Sequence, residues 1–266
     1  MSKLNNTIYE INNIDALSNE DKWMNKIHPL IKVILTIIYI LLVVSFHKYN
    51  ITGVIGMFIY PIVIFIISGI SFKDSIKKMR LVLPLVCFMG LFNPLFDKEI
   101  LFSINGISIS GGIISMSTLM MKGILAVLAS YILIVTTNIE KICYAMECIY
   151  IPKIFITQVL LIYRYLTVLL KEANQISEAY SLRAPNQKGI HYKVWGSLMG
   201  QLLLRSMDKA ENIYESMCLR GYTGEFSYAH NIKCNSKDYV YFITWLTIFI
   251  TIRFVNISEI MGNILF

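Results

Sequence analysis

Charge is scarce in this sequence. Only 15% of its 266 residues are Asp, Glu, Lys or Arg, against about 25% in an average soluble domain. Hydrophobic residues make up 56% and mean hydropathy is +0.59. That shortage excludes a disordered chain and argues against a soluble globular one, leaving a polytopic membrane protein. Carboxylates are missing from the long apolar runs, so no acid–base pair is placed inside them. The cysteines, Cys87, Cys143, Cys148, Cys218 and Cys234, form no CxxC pair and read as small apolar fillers, not as a disulfide framework or zinc site. No glycine is followed by lysine, so there is no Walker A loop and no ATP hydrolysis is expected of the chain itself. HExxH and GxSxG are absent too, and His28, His47, His191 and His230 are scattered. No catalytic residue, cofactor site or metal site is therefore assigned, and any metal selectivity is expected on another chain. The first thirty or so residues lack the apolar core of a signal peptide. A net charge of +7 would suggest nucleic acid in a soluble protein; here it fits Lys and Arg kept on the cytoplasmic side, with no nucleic-acid partner.

Five runs are candidate spans: residues 30–46, with Lys32 able to snorkel from its end; 51–72, with Pro61; 81–96, short and carrying Pro84 and Pro94; 111–137, with Lys122; and 239–257, with Arg253. With the N-terminus inside, the cytoplasmic segments 1–32, 71–80 and 138–238 hold 4, 4 and 12 Lys and Arg, and the outer loops only Lys48 and Lys98. That asymmetry favours N-in, C-out. Residues 102–110 alternate around Asn105-Gly106, a hairpin pattern. The run 154–170 is also apolar except for Arg164. Were it to span, Lys171, Arg183, Lys188, Lys193, Arg205, Lys209 and Arg220 would lie outside. Residues 154–182 are therefore read as one long helix under or partly in the bilayer. Lys122 and Arg253 are functional candidates as charges within spans, against a simpler reading as pairing or snorkelling groups.

The insert 138–238 is expected to be helical. Trp195, Leu198, Met199, Leu202, Leu203, Ser206, Ala210, Ile213, Tyr214 and Met217 recur at three and four, one apolar stripe. Gly221 suits the position just past a helix end, and the residue before Pro185 disfavours helix. Two helices should thus each end in an exposed arginine, at Leu182-Arg183-Ala184 and Leu219-Arg220-Gly221. One such arginine complements a helix dipole; two in one insert suggest a paired docking device. Gly196 and Gly200 have the small-xxx-small spacing that lets helices cross closely.

Ala179-Tyr180-Ser181-Leu182-Arg183-Ala184 and Ser216-Met217-Cys218-Leu219-Arg220-Gly221-Tyr222 resemble the paired Ala-Arg-Gly signatures of the transmembrane coupling (T) component of energy-coupling factor (ECF) transporters. His28-Pro29 with Lys32, Asn93-Pro94-Leu95-Phe96, Thr136-Thr137 and Ile151-Pro152 resemble further landmarks of that family. Tyr180 to Pro185, Trp195-Gly196-Ser197-Leu198, Gly200 to Ser206 and Tyr222-Thr223-Gly224-Glu225-Phe226 are similar to the CbiQ-type component of cobalt importers. Ala184 and Ser216 depart from the signatures, where glycine and alanine are usual; neither touches the arginines. The resemblance implies an all-α polytopic membrane protein, with about five transmembrane helices and a cytoplasmic coupling domain of long crossed amphipathic helices. Residues 1–137 would hold the N-terminal transmembrane helices, 138–238 the coupling helices and 239–266 the C-terminal transmembrane helix. It further implies a non-catalytic, multi-pass subunit of a bacterial cell membrane with its N-terminus cytoplasmic. Its partners would be the lipid bilayer, two CbiO-like ABC ATPase subunits and a CbiM/CbiN-like substrate-binding membrane component. ATP-driven motion would pass through Arg183 and Arg220. Cobalt is the implied substrate, with nickel or a vitamin as alternatives. The competing classes are an integral membrane enzyme, which needs clustered carboxylates, His or an activated nucleophile, and a stand-alone carrier, which needs polar spans or inverted repeats. Neither pattern is present.

Overall fold

The computed structural model describes residues 9, 11, 13, 15–20, 22–69, 83–92, 100–104, 107–184, 189–224 and 234–254. The basic loop 71–80, the 93–96 element, the Asn105-Gly106 turn, Pro185, the Glu225-Phe226 end of the last resemblance and His230 lie outside the described residues. The chain divides into two compact units, residues 18–138 with 232–266, and residues 1–17 with 139–231.

The first unit is built from apolar helices. After a single turn, α1 (Trp23–Lys26), α2 runs over Pro29–Ser45. It begins there because Pro29 tolerates the first helical position and the His28 ring accepts the Leu30 N–H at 3.3 Å. The Asn50 side chain accepts the Gly53 N–H at 2.9 Å and starts α3, Ile51–Gly56. A fourth helix, α4, covers Ile59–Ser68 and closes on Gly69 at φ +60°. The run predicted as one span from 51 is thus interrupted at Met57-Phe58, and Pro61 explains it. Proline has no N–H to give the carbonyl four residues back, and its ring crowds that carbonyl. The carbonyl is Met57's, and the buried Tyr39 hydroxyl of α2 donates to it at 2.9 Å.

Helix α5 is Leu83–Leu91. Strands β1 (Ile100–Ile104) and β2 (Ile107–Ser110) pair antiparallel, Ile104 opposite Ile107, where the sequence alternates. Helix α6, Gly111–Thr136, touches α2, α3, α4 and α5 and is the centre of the unit. At Gly123 an added Cβ would sit 2.4 Å from Val86 Cγ1, so α5 and α6 approach through glycine. Ser236–Phe254 packs on α2 and places Phe249 against Tyr39 and Tyr60 and Trp245 against Tyr60, with ring centroids 4.9 to 5.3 Å apart. Lys32 does not snorkel. It is buried, and its ammonium donates to the Thr136 carbonyl at 2.9 Å, because a helix C-terminus leaves carbonyls unpaired within reach.

In the second unit, α7 (Ile139–Cys148) packs on α8 (Lys153–Arg183), and α9 follows over Tyr192–Leu219. The Tyr163 hydroxyl of α8 donates to Asp15 at 2.5 Å, tying the N-terminal segment to this unit. We label the Ser236–Phe254 helix α10. Among the described residues, three helical stretches are long and apolar enough to cross a membrane: Ile51–Ser68, Gly111–Thr136 and Lys153–Arg183. Pro29–Ser45 is shorter, and α10 carries Lys237, Asp238 and Arg253. The architecture is polytopic and all-α apart from the hairpin. The third stretch is the one that loop charge kept out of the bilayer in the sequence reading; length and composition alone do not keep it out.

Candidate coupling site

Helix α8 is continuous through the junction of its apolar half and its charged half. Glu172 faces α9, accepting from Lys209 at 2.6 Å with Arg205 at 3.5 Å. Chiefly the Lys209 hydrogen bond, with Arg205 beside it, holds the Glu172 carboxyl below the ordinary carboxylate range. The first half of α8 and the second half of α9 line an apolar cavity of about 540 Å³ that includes Ile154, Leu161, Leu169, Ile213 and Met217. The two helices therefore run antiparallel, and their C-terminal ends lie at opposite ends of the pair. A 28-residue helix rises roughly 42 Å, which sets the scale of that separation.

Each end closes differently. At α9 the Tyr222 N–H donates to the Met217 carbonyl at 3.0 Å and the Gly221 N–H to the Cys218 carbonyl at 2.9 Å. This is a Schellman motif, with Gly221 left-handed at φ +84°. At α8 the Ala184 N–H donates to the Tyr180 carbonyl at 3.0 Å, with φ −127°. Glycine is not required there, which accounts for alanine at a position where the resemblance expects glycine. Tyr150, just past α7, takes the left-handed place in a second Schellman turn at φ +64°, with the Ile151 N–H on the Met146 carbonyl.

Leu182 and Leu219 are 82% and 90% exposed, and Arg183, Arg220 and Gly221 are exposed beside them, with Ala184 half-buried. Among the described residues no carboxylate pairs with either arginine. Each tip thus presents an exposed leucine beside an exposed guanidinium, whose planar fork of donors suits carboxylates and carbonyls.

The α9 stripe is wider than one neighbour covers. Leu198, Leu202, Ser206, Ile213 and Met217 are half-buried, whereas Trp195, Met199, Leu203 and Tyr214 are exposed, and α9 has no buried residue. Gly196 and Gly200 lie on that open side, and an added Cβ at either meets no described atom within 4 Å. The close crossing expected of them is not made among the described residues.

Two side chains that the sequence flagged separately come together. Lys122 of α6 donates to the carbonyl oxygens of Val44, at 3.1 Å, and of Phe46. Arg253 of α10 donates to the Ser45 carbonyl at 3.2 Å and the Ser45 hydroxyl at 3.3 Å, and stacks 4.6 Å over the Phe46 ring. No group of three or more His, Cys, Asp or Glu is placed to hold a metal ion among the described residues.

The family model described as CbiQ, cobalt transport protein, matches residues 20–230. An uncharacterized protein of Methanocaldococcus jannaschii, MJ1089, is 28% identical over 257 residues, covering 91% of this chain and 92% of its own length. Another from the same organism, MJ1571, is 23% identical over 230 residues, covering 83% and 78%.

Proposed function

The chain belongs to the CbiQ family of cobalt transport proteins, and from that premise we propose that it is the coupling subunit of an ECF-type importer. It is a membrane component of a transporter. Arg183 and Arg220 each dock on one of two CbiO-like ATPase subunits, with Leu182 and Leu219 seated in an apolar groove. When ATP draws the ATPases together, the helix pair changes its crossing. That change moves a CbiM/CbiN-like substrate-binding membrane component. Cobalt is the cargo, with selectivity on that partner; nickel or a vitamin would leave the coupling unchanged. Residues 138–238 form the coupling domain on the cytoplasmic side of a bacterial membrane, and 1–137 with 239–266 supply the spans, N-terminus inside.

The observation that carries this reading is the pair of exposed Leu-Arg tips at opposite ends of antiparallel α8 and α9, joined midway by the Glu172–Lys209 contact. Rods of this kind transmit displacement between discrete arrangements, not bond chemistry. The test is assembly and uptake with Arg183→Ala, Arg220→Ala and the double variant. A charge-assisted contact is worth about 1.5–3 kcal/mol, so each single change should weaken ATPase capture by roughly 10- to 150-fold. The double variant should abolish ATP-driven cobalt uptake. Normal capture and uptake by the double variant would refute the docking role.

A further inference from the structure

We propose that Lys122 and Arg253 form a binding site for the phosphate of an anionic phospholipid, at the membrane boundary where α2 ends. Both cations come from different helices and converge on three consecutive carbonyls, Val44, Ser45 and Phe46. Those carbonyls hold the two charges in place but do not neutralise them: a helix C-terminus supplies roughly half a negative charge against two positive ones. No described carboxylate pairs with either side chain. Donors are left over. Lys122 has three N–H groups and two carbonyl partners, and Arg253 is seen to engage only Nη2, leaving the Nε hydrogen on one side of Nη2 and the Nη1 hydrogens on the other while its face rests on Phe46. A phosphate offers acceptor oxygens to both at once.

Position names the source of the phosphate. Helix α2 has 17 residues, about 26 Å, close to the roughly 30 Å of a bilayer's hydrocarbon core. Its last carbonyls therefore stand at headgroup level. About one turn into the membrane, Leu41 on α2 and Ile250 on α10 expose apolar side chains, as does Val44 at the site itself, a surface for acyl chains beside the cations. A free anion would gain nothing from that surface. In the orientation proposed above this end faces outward, where Lys and Arg are otherwise few, so these two need a local counter-charge.

The test uses the purified full-length chain in detergent micelles, titrated with dioleoyl phosphatidylglycerol, dioleoyl phosphatidylcholine or sodium phosphate and followed by native mass spectrometry. The wild-type chain should hold one phosphatidylglycerol at least tenfold more tightly than phosphatidylcholine. Lys122→Gln/Arg253→Gln should erase the preference, and Lys122→Arg should keep it; each sample is first shown to be monodisperse. Equal affinity for the two lipids in the wild-type chain overturns the proposal, as does a Gln/Gln variant with undiminished preference. Inorganic phosphate that binds the wild-type chain without any lipid preference overturns the lipid assignment and leaves a free-anion site. The ATPase-docking proposal stands or falls separately, because neither residue lies in the coupling unit.

Discussion

Removing one hydroxyl, in Tyr39→Phe, isolates the bond between the Tyr39 hydroxyl and the Met57 carbonyl, 2.9 Å long and wholly buried. The ring, packed between Tyr60 and Phe249, stays in place, so no cavity opens. The Met57 carbonyl loses its partner, because Pro61 has no N–H to replace it. Hydrogen bonds between membrane helices average about 0.6 kcal/mol and reach about 1.7, whereas orphaning a buried acceptor costs about 1–3 kcal/mol. Among the described residues no other donor reaches this carbonyl, so the expected loss is about 1–2 kcal/mol, a factor of about 5–30 in the folded-to-unfolded ratio. Pro61→Ala restores an N–H four residues on. In that background the same Tyr39→Phe change should cost less by about 1 kcal/mol, the coupling expected of partners that share one acceptor. Equilibrium unfolding of the four proteins in mixed micelles, read by the fluorescence of the buried Trp245, measures the cycle. An equal cost in both backgrounds would show that Pro61 has no part in the bond.

Three further outcomes are expected. Gly123→Ala forces Cβ onto the stiff Val86 side chain and should destabilise the α5–α6 crossing by about 1–3 kcal/mol, visible as a lower midpoint in the same unfolding assay; no shift would mean the helices separate freely there. Gly221→Ala places a side chain at φ +84°, about 1–2 kcal/mol uphill, and should speed amide exchange at residues 217–222 by roughly 5- to 30-fold while leaving α8 unchanged. In a cysteine-free background, Ser181→Cys and Ser236→Cys should resist an impermeant thiol reagent in intact cells while Asn105→Cys and Asn263→Cys react; labelling of the first two from outside would invert the proposed orientation.

The helices were legible wherever periodicity or run length was sufficient. The starts and ends of α2, α6 and α8, the β-hairpin and the stop of α9 at Gly221 all follow from apolar runs, proline and glycine. The interruption at Met57-Phe58 was not, although Pro61 was in view, because a proline marks the carbonyl it orphans but not the hydroxyl that rescues it. Lys32 looked like a snorkelling residue; only the tertiary arrangement puts the end of α6 within reach of its ammonium. The convergence of Lys122 and Arg253, more than a hundred positions apart, has no trace in local spacing. The α9 stripe was read correctly as apolar, but its period says which residues share a face and nothing of how much of it a neighbour covers. Leu182 and Leu219 show the reverse case: proline and glycine mark the two helix ends in the sequence, but the exposure of the leucine at each is visible only in the folded arrangement.

The uncovered side of α9 also bears on how this chain fares in a cell. Six charged residues, Lys193, Arg205, Asp208, Lys209, Glu211 and Glu215, make α9 unfit to span a bilayer. Among the described residues Trp195, Met199, Leu203, Leu204 and Met207 are left uncovered, an apolar strip of the sort that invites association. A partner that covered the strip in the folded chain alone would add RT ln(1 + [L]/Kd) to its stability. Subunit abundance would then be self-balancing: copies synthesised in excess of such a partner would remain the least stable, and proteolysis would remove them first.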